Sequence, residues 1–110
     1  MEVTRGDIVI VTFGEFGRPR PAVVVQANEL GGNTTSVLVC PITSSITERL
    51  PIRPDVEPDT SNGLRAASQV MTDKIFAVPR NRIRSIVGKI DPSVQDQLDQ
   101  ALLVVLGLGR

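Results

Sequence analysis

Three features of the sequence predict an α+β domain, mainly β, with a small antiparallel sheet or barrel closed by one C-terminal helix. Short runs rich in Val and Ile recur through the first two thirds of the chain. Gly- and Pro-bearing segments punctuate them. After Asp91 the apolar spacing changes from strand-like to helical.

The elements follow in order. Asp7 to Phe13 (DIVIVTF) is a β-branched run and predicts the first strand. Gly14 to Pro21 (GEFGRPRP) reads as a hairpin loop. Ala22 to Gln26 (AVVVQ) is apolar on both faces, which suits a central strand, with Pro21 able to open it but not to sit in its middle. Asn28 to Thr35 holds a Gly-Gly-Asn turn, and Ser36 to Ile42 is a third strand kinked or ended by Pro41. Thr43 to Thr47 is a hydroxyl-rich turn, Glu48 to Arg53 an edge strand limited by Pro51, and Pro54 to Gly63 a loop. Leu64 to Val70 and Ser85 to Ile90 predict two further strands. Between them Met71 to Ala77 reads as extended, and Pro79 to Arg82 as a helical turn. Asp91 is a good N-cap and Pro92 suits the first helical position. Val94, Leu98, Ala101, Leu102, Val105 and Leu106 then mark one helical face, Leu103 and Val104 widen it toward burial on more than one side, and Gly107 stops the helix.

Composition limits the chemistry. The 110 residues fit one domain spanning 1–110, with a core small enough that dimerisation would usefully bury more surface. No run of about 18 apolar residues could span a membrane. The start, Met1 to Asp7, lacks the basic and apolar regions of a signal peptide, so a cytoplasmic location is expected. Cys40 is the only cysteine and lies in an apolar run, where it reads as a buried small hydrophobe. There is no His, Trp or Tyr. Ser-His-Asp triads, imidazole acid–base pairs and zinc sites built on His or several Cys are therefore excluded. The chain is formally neutral, which argues against strong non-specific nucleic-acid binding. Yet all its cations are Arg except Lys74 and Lys89. Guanidinium forks suit phosphate recognition, although a compositional bias of the source would produce the same count.

Three segments carry a resemblance. They are Arg5-Gly6-Asp7-Ile8-Val9, then Arg20-Pro21-Ala22-Val23-Val24-Val25-Gln26-Ala27-Asn28, then Val39-Cys40-Pro41-Ile42-Thr43-Ser44. In order, spacing and strand context the chain resembles the MazF/PemK toxins of type II toxin–antitoxin systems. The resemblance implies an SH3-like barrel with a C-terminal helix, assembled as a homodimer. It further implies metal-independent cleavage of single-stranded RNA at short motifs, without a cofactor, and inhibition by a cognate antitoxin whose disordered tail docks on the toxin.

The resemblance also assigns residues. Such cleavage uses the RNA 2′-OH as nucleophile, leaving a 2′,3′-cyclic phosphate and a 5′-OH. Its largest need is preorganised donors aimed at the developing charge. Arg20 matches the family's catalytic arginine. Pro21 restrains its backbone to an extended form and the stiff strand holds its base, whereas Arg18 precedes no such strand. A guanidinium pKa above about 12 favours charge stabilisation over proton donation. Thr43 matches the catalytic threonine, and Ser44 could bind the same phosphate; the bland alternative is a turn bonding its own backbone. Arg5, Gln69 and Asp73 are supporting candidates for substrate contact. Asp73 matches an acidic position assigned as a base in some members, but their arginine two positions earlier is Met71 here, which leaves the base open. Arg80, Arg82 and Arg84 form a basic run better read as solvated surface. The short loop Gly14 to Arg18 bears on which RNA motif is cut.

Two other readings stand beside the nuclease. CcdB-like toxins share the scaffold and poison DNA gyrase through C-terminal residues, without an Arg20–Thr43 pair. An inactive relative serving only as a partner module is the third.

Overall fold

The computed structural model describes residues 1–13, 17–48 and 50–109. Its seven strands are β1 (Asp7–Thr12), β2 (Pro19–Val24), β3 (Ser36–Thr43), β4 (Asp55–Val56), β5 (Ser68–Val70), β6 (Phe76–Pro79) and β7 (Ile83–Lys89), followed by helix α1 (Pro92–Val105). The strands form one antiparallel sheet in the order β4-β5-β3-β2-β1-β7, with β6 beside β5 on the same edge of β3. It curls into a half-barrel. Two register shifts in the β1–β7 ladder, at Ile8/Val9 and Ile10/Val11, supply local twist.

Burial explains the strand choice. The run AVVV sits between β1 and β3 and is covered on both faces. Val23 joins Ile8, Cys40, Ile42, Val70 and the helix residues Val94, Leu98 and Leu102. Ala22 and Val24 join Val9, Val11, Val37, Val39 and Val78 on the opposite face. The helix opens as its sequence predicts, with the Asp91 carboxylate accepting from Val94 N at 2.9 Å and Pro92 in the first turn. It ends at Gly107, whose φ of +72° favours glycine, and Leu108 N closes the turn on Leu103 O.

Several expected boundaries move, each for a local reason. β2 starts at Pro19 and carries Pro21 inside it. This is tolerated because that stretch pairs only with β1, and β3 joins from Ala22 onward. Pro41 does not end β3, which runs on to Thr43. Of the hairpin loop expected at 14–21, positions 14–16 fall outside the described residues. The edge strand expected over Glu48–Arg53 is absent from its described members: Arg53 N bonds Leu50 O and closes a turn, and the two-residue β4 takes the edge instead. Leu64 to Ala67 does not join β5, because the Asn62 side chain ties the preceding loop, donating to Glu57 O and accepting from Asp59 N and Leu64 N. Met71 to Ile75 is a turn, closed by Lys74 N on Met71 O, and not an extended segment. The last helical turn is not buried on two sides: Leu103, Val104 and Leu106 are exposed.

The half-barrel closes where β7 meets the 61–63 loop. Lys89 N bonds Ser61 O at 3.0 Å, and a Cβ at Gly88 would lie 2.4 Å from that same oxygen. Only glycine lets the backbones approach this closely. Among the described residues no helix is long and apolar enough to cross a membrane.

Candidate active site

The register of β2 and β3 places the two strongest candidates. Ala22 faces Pro41. Two residues further along each antiparallel strand, Arg20 and Thr43 lie across from one another at the open end of the ladder. Strand alternation puts Arg20 in phase with Ala22 and Val24, and Thr43 in phase with Val39 and Val37. Both therefore rise from the valine-covered face on stiff, buried supports. They line one open cavity of about 1070 Å³ with Ser44.

Their local chemistry differs. Arg20 is exposed, and its side chain makes no ion pair or hydrogen bond with a described residue. The Thr43 hydroxyl accepts from Ser45 N at 3.0 Å, the backbone-bonded turn that Thr commonly makes. Its single proton is not used in that bond, so the same turn that fixes the oxygen leaves it able to donate.

The supporting candidates lie elsewhere. Arg5 is outside the cavity lining; its guanidinium donates to Val25 O at 3.1 Å and pairs with Asp99 at 2.6 Å, tying the N-terminus to β2 and α1. Gln69 pairs with Thr43 across the ladder but is buried. Its amide accepts from Thr47 N at 3.1 Å and donates to Thr47 O at 3.0 Å and to Asp55 Oδ1 at 3.1 Å. It clamps the segment after Thr43 and does not face the cavity. Asp73 is held in a two-toothed fork by Arg53, at 2.9 and 3.0 Å. That bond lowers the Asp73 pKa below its ordinary 3.8 and raises that of Arg53. A carboxylate so stabilised is a poor proton acceptor at neutral pH. Cys40 is buried, and desolvation pushes its thiol up to about 12, so it stays protonated and inert.

Sequence reasoning missed three side chains in the lining. Arg65 and Lys74 reach the cavity from the segments before and after β5, and Phe76 reaches it from the start of β6. Arg65 was expected inside a strand and Lys74 in an extended segment, so nothing in their spacing singled them out.

With this geometry in place, the comparisons with known proteins decide the family. The sequence profile described as PemK-like, MazF-like toxin of type II toxin–antitoxin system matches residues 4–106. The chain belongs to this family. It is 37% identical over 106 residues to a probable endoribonuclease MazF of Mycolicibacterium smegmatis, covering 94% of this chain and 96% of the relative. The fold matches Mycobacterium tuberculosis toxin MazF-mt6 with a TM-score of 0.81 at 23% identity, over 94% of this chain and 99% of that one. It also matches a mycobacterial endoribonuclease solved with its cognate antitoxin, with a TM-score of 0.82 at 20% identity and 98% of each chain covered. The expected mainly-β fold, an SH3-like barrel with a C-terminal helix, is realised as a curled antiparallel half-barrel with that helix, the architecture of MazF structures.

Proposed function

We propose that this MazF-like chain is the toxin of a toxin–antitoxin pair and acts, as one domain, as an endoribonuclease that cuts single-stranded RNA without a metal ion. The observation that carries the reading is Arg20 and Thr43 meeting in one cavity, on facing strands, with the arginine free of any described carboxylate. In this reaction the substrate 2′-hydroxyl gives its proton to solvent as its oxygen attacks phosphorus, the P–O5′ bond breaks, and the departing oxygen takes a proton from solvent, so that the products carry a 2′,3′-cyclic phosphate and a 5′-OH. Arg20 neutralises charge on the pentavalent phosphate, and the Thr43 hydroxyl donates to a non-bridging oxygen. Ser44, exposed at the same rim, adds a donor to that phosphate. The chain has no imidazole and no described carboxylate lines the cavity, so charge stabilisation and positioning carry the step.

Structural relatives solved with antitoxin support a reading of its partners. A cognate antitoxin with a disordered tail silences this chain, and the working form is a homodimer in the cytoplasm. Exposed Leu103, Val104 and Leu106 offer apolar surface for a second copy to cover.

The deciding experiment digests a mixed single-stranded RNA in the presence of a chelator and maps both ends of each product. Cyclic-phosphate and 5′-OH ends are expected. Arg20→Ala and Thr43→Ala should each lose about a hundredfold or more in rate while unfolding at an unchanged temperature. Full cleavage by either variant removes that residue from the mechanism. Intact RNA with inhibited DNA supercoiling would replace the nuclease by a gyrase poison.

A further inference from the structure

The charge around the cavity is segregated. The chain carries twelve cations and twelve acids, yet Arg20, Arg65 and Lys74 line the cavity and no described acidic residue does. Three of the cations elsewhere are neutralised by carboxylates. Among the described residues, salt bridges bind Arg5 to Asp99, Arg53 to Asp73 and Lys89 to Asp7, and none of the cavity's three cations takes part in one. Unpaired like charges around one hollow repel each other and favour an anionic occupant.

An aromatic side chain completes the pattern. Phe76 is 48% exposed. It is nonetheless held in place, because its ring stands at 86° to that of Phe13 with centroids 5.0 Å apart. Phe13 in turn packs on the buried valine cluster. A fixed, half-exposed ring beside three cations has the composition of a surface for a base-bearing polyanion, since stacking supplies a sequence-tolerant contact while cations track the backbone. A simple anion would have no use for the ring.

We propose that the cavity is a single-strand groove in which Arg65 and Lys74 hold the phosphates flanking the scissile one and Phe76 stacks on a base. The proposal rests on the reading of Arg20 and Thr43 as the cleavage pair, and its test separates the two. The probe is a short mixed-sequence RNA with 2′-O-methyl groups at every position, which cannot be cut through its 2′-oxygens. Its affinity for the full chain is measured across a salt series. Arg65→Gln and Lys74→Gln should each flatten the slope of log affinity against log salt by about 0.7, the value for one phosphate contact on a single strand. Phe76→Leu should weaken binding about tenfold with the slope unchanged, and Phe76→Tyr should restore it. Inorganic polyphosphate, charged but without bases, should respond to the two charge variants and not to Phe76→Leu.

Unchanged slopes in both charge variants overturn the phosphate contacts. Wild-type affinity in Phe76→Leu overturns the stacking. All three side chains are exposed, and thermal unfolding of each variant verifies that the fold is kept. Should the wild-type chain bind with these dependences but leave natural RNA whole, the groove stands and the nuclease reading falls. If it cuts RNA while the slopes ignore both charge variants, the cleavage pair stands and the groove assignment falls.

Discussion

At position 69 one buried amide joins three groups, the backbone N–H and C=O of Thr47 and the carboxylate of Asp55. Gln69→Leu removes both bonds to Thr47, and with them the anchor of the segment that begins at Thr43. Such losses at buried sites cost about 1–3 kcal/mol. Thermal unfolding should show that loss, with RNA cleavage slowed beyond what reduced folding explains. Position 73 yields a pH prediction. The fork from Arg53 lowers the Asp73 pKa, so the pair contributes stability above the ordinary value of 3.8 and loses it as pH falls through the lower folded value. The pair is partly solvated and should be worth about 0.5–1 kcal/mol. Asp73→Asn should therefore unfold at a lower temperature than wild type at neutral pH, with the gap narrowing in strong acid. Near-normal RNA cleavage by this variant is also expected, because Asp73 does not line the cavity.

Among the elements, β3 organises the site by serving three partners. It pairs with β2 on one edge, and on the other with β6 along Ser36–Val39 and then with β5 along Ile42–Thr43. The handover from β6 to β5 falls at Cys40–Pro41, just before Ile42 and Thr43. Cavity residues can enter there from the turns flanking β5. The helix secures the opposite face through Leu98, which is fully buried. Leu98→Ala should cost about 2–5 kcal/mol in chemical denaturation. Gly88→Ala tests the closure. Its methyl would press on Ser61 O and the Asn62 backbone. A loss of about 1–3 kcal/mol is expected from such overpacking, with β7 amides exchanging faster with solvent. Strand β1, the apolar half of β2 and the helix were legible in the sequence, the strands as continuous apolar runs buried on both faces and the helix by an apolar period that coincides with the face it buries. Glu48–Arg53, Leu64–Ala67 and Met71–Ile75 were not. Their conformations are set by single contacts, such as Arg53 on Asp73 and Asn62 on Glu57, that join residues from different segments or across a loop.

For the whole molecule, zero net charge conceals an uneven distribution. A protein of this composition should bind nucleic acid weakly unless its cations converge. Three of them do, on one cavity. If each engages a phosphate, cleavage at subsaturating RNA should fall with salt along a log–log slope of about 2, at about 0.7 per contact. A flat salt profile would mean that the cations do not meet the RNA backbone.

Apolar runs marked the buried strands β1, β2 and β3, apolar period marked the helix, and Asp91, Pro92 and Gly107 marked its ends, because burial and capping select residues that one chain displays by itself. The absence of His excluded imidazole chemistry, and the resemblance carried by the segments at Arg5–Val9, Arg20–Asn28 and Val39–Ser44 implied a site built on Arg20 and Thr43. Only the tertiary structure decided which polar residues share a space. It drew Arg5 and Asp73 into ion pairs and turned Gln69 into a clamp, and it brought Arg65, Lys74 and Phe76 to the cavity from separate turns. Convergence of that kind depends on how a sheet curls and where its strands change partner, which are properties of contacts distant in sequence and leave no period along it.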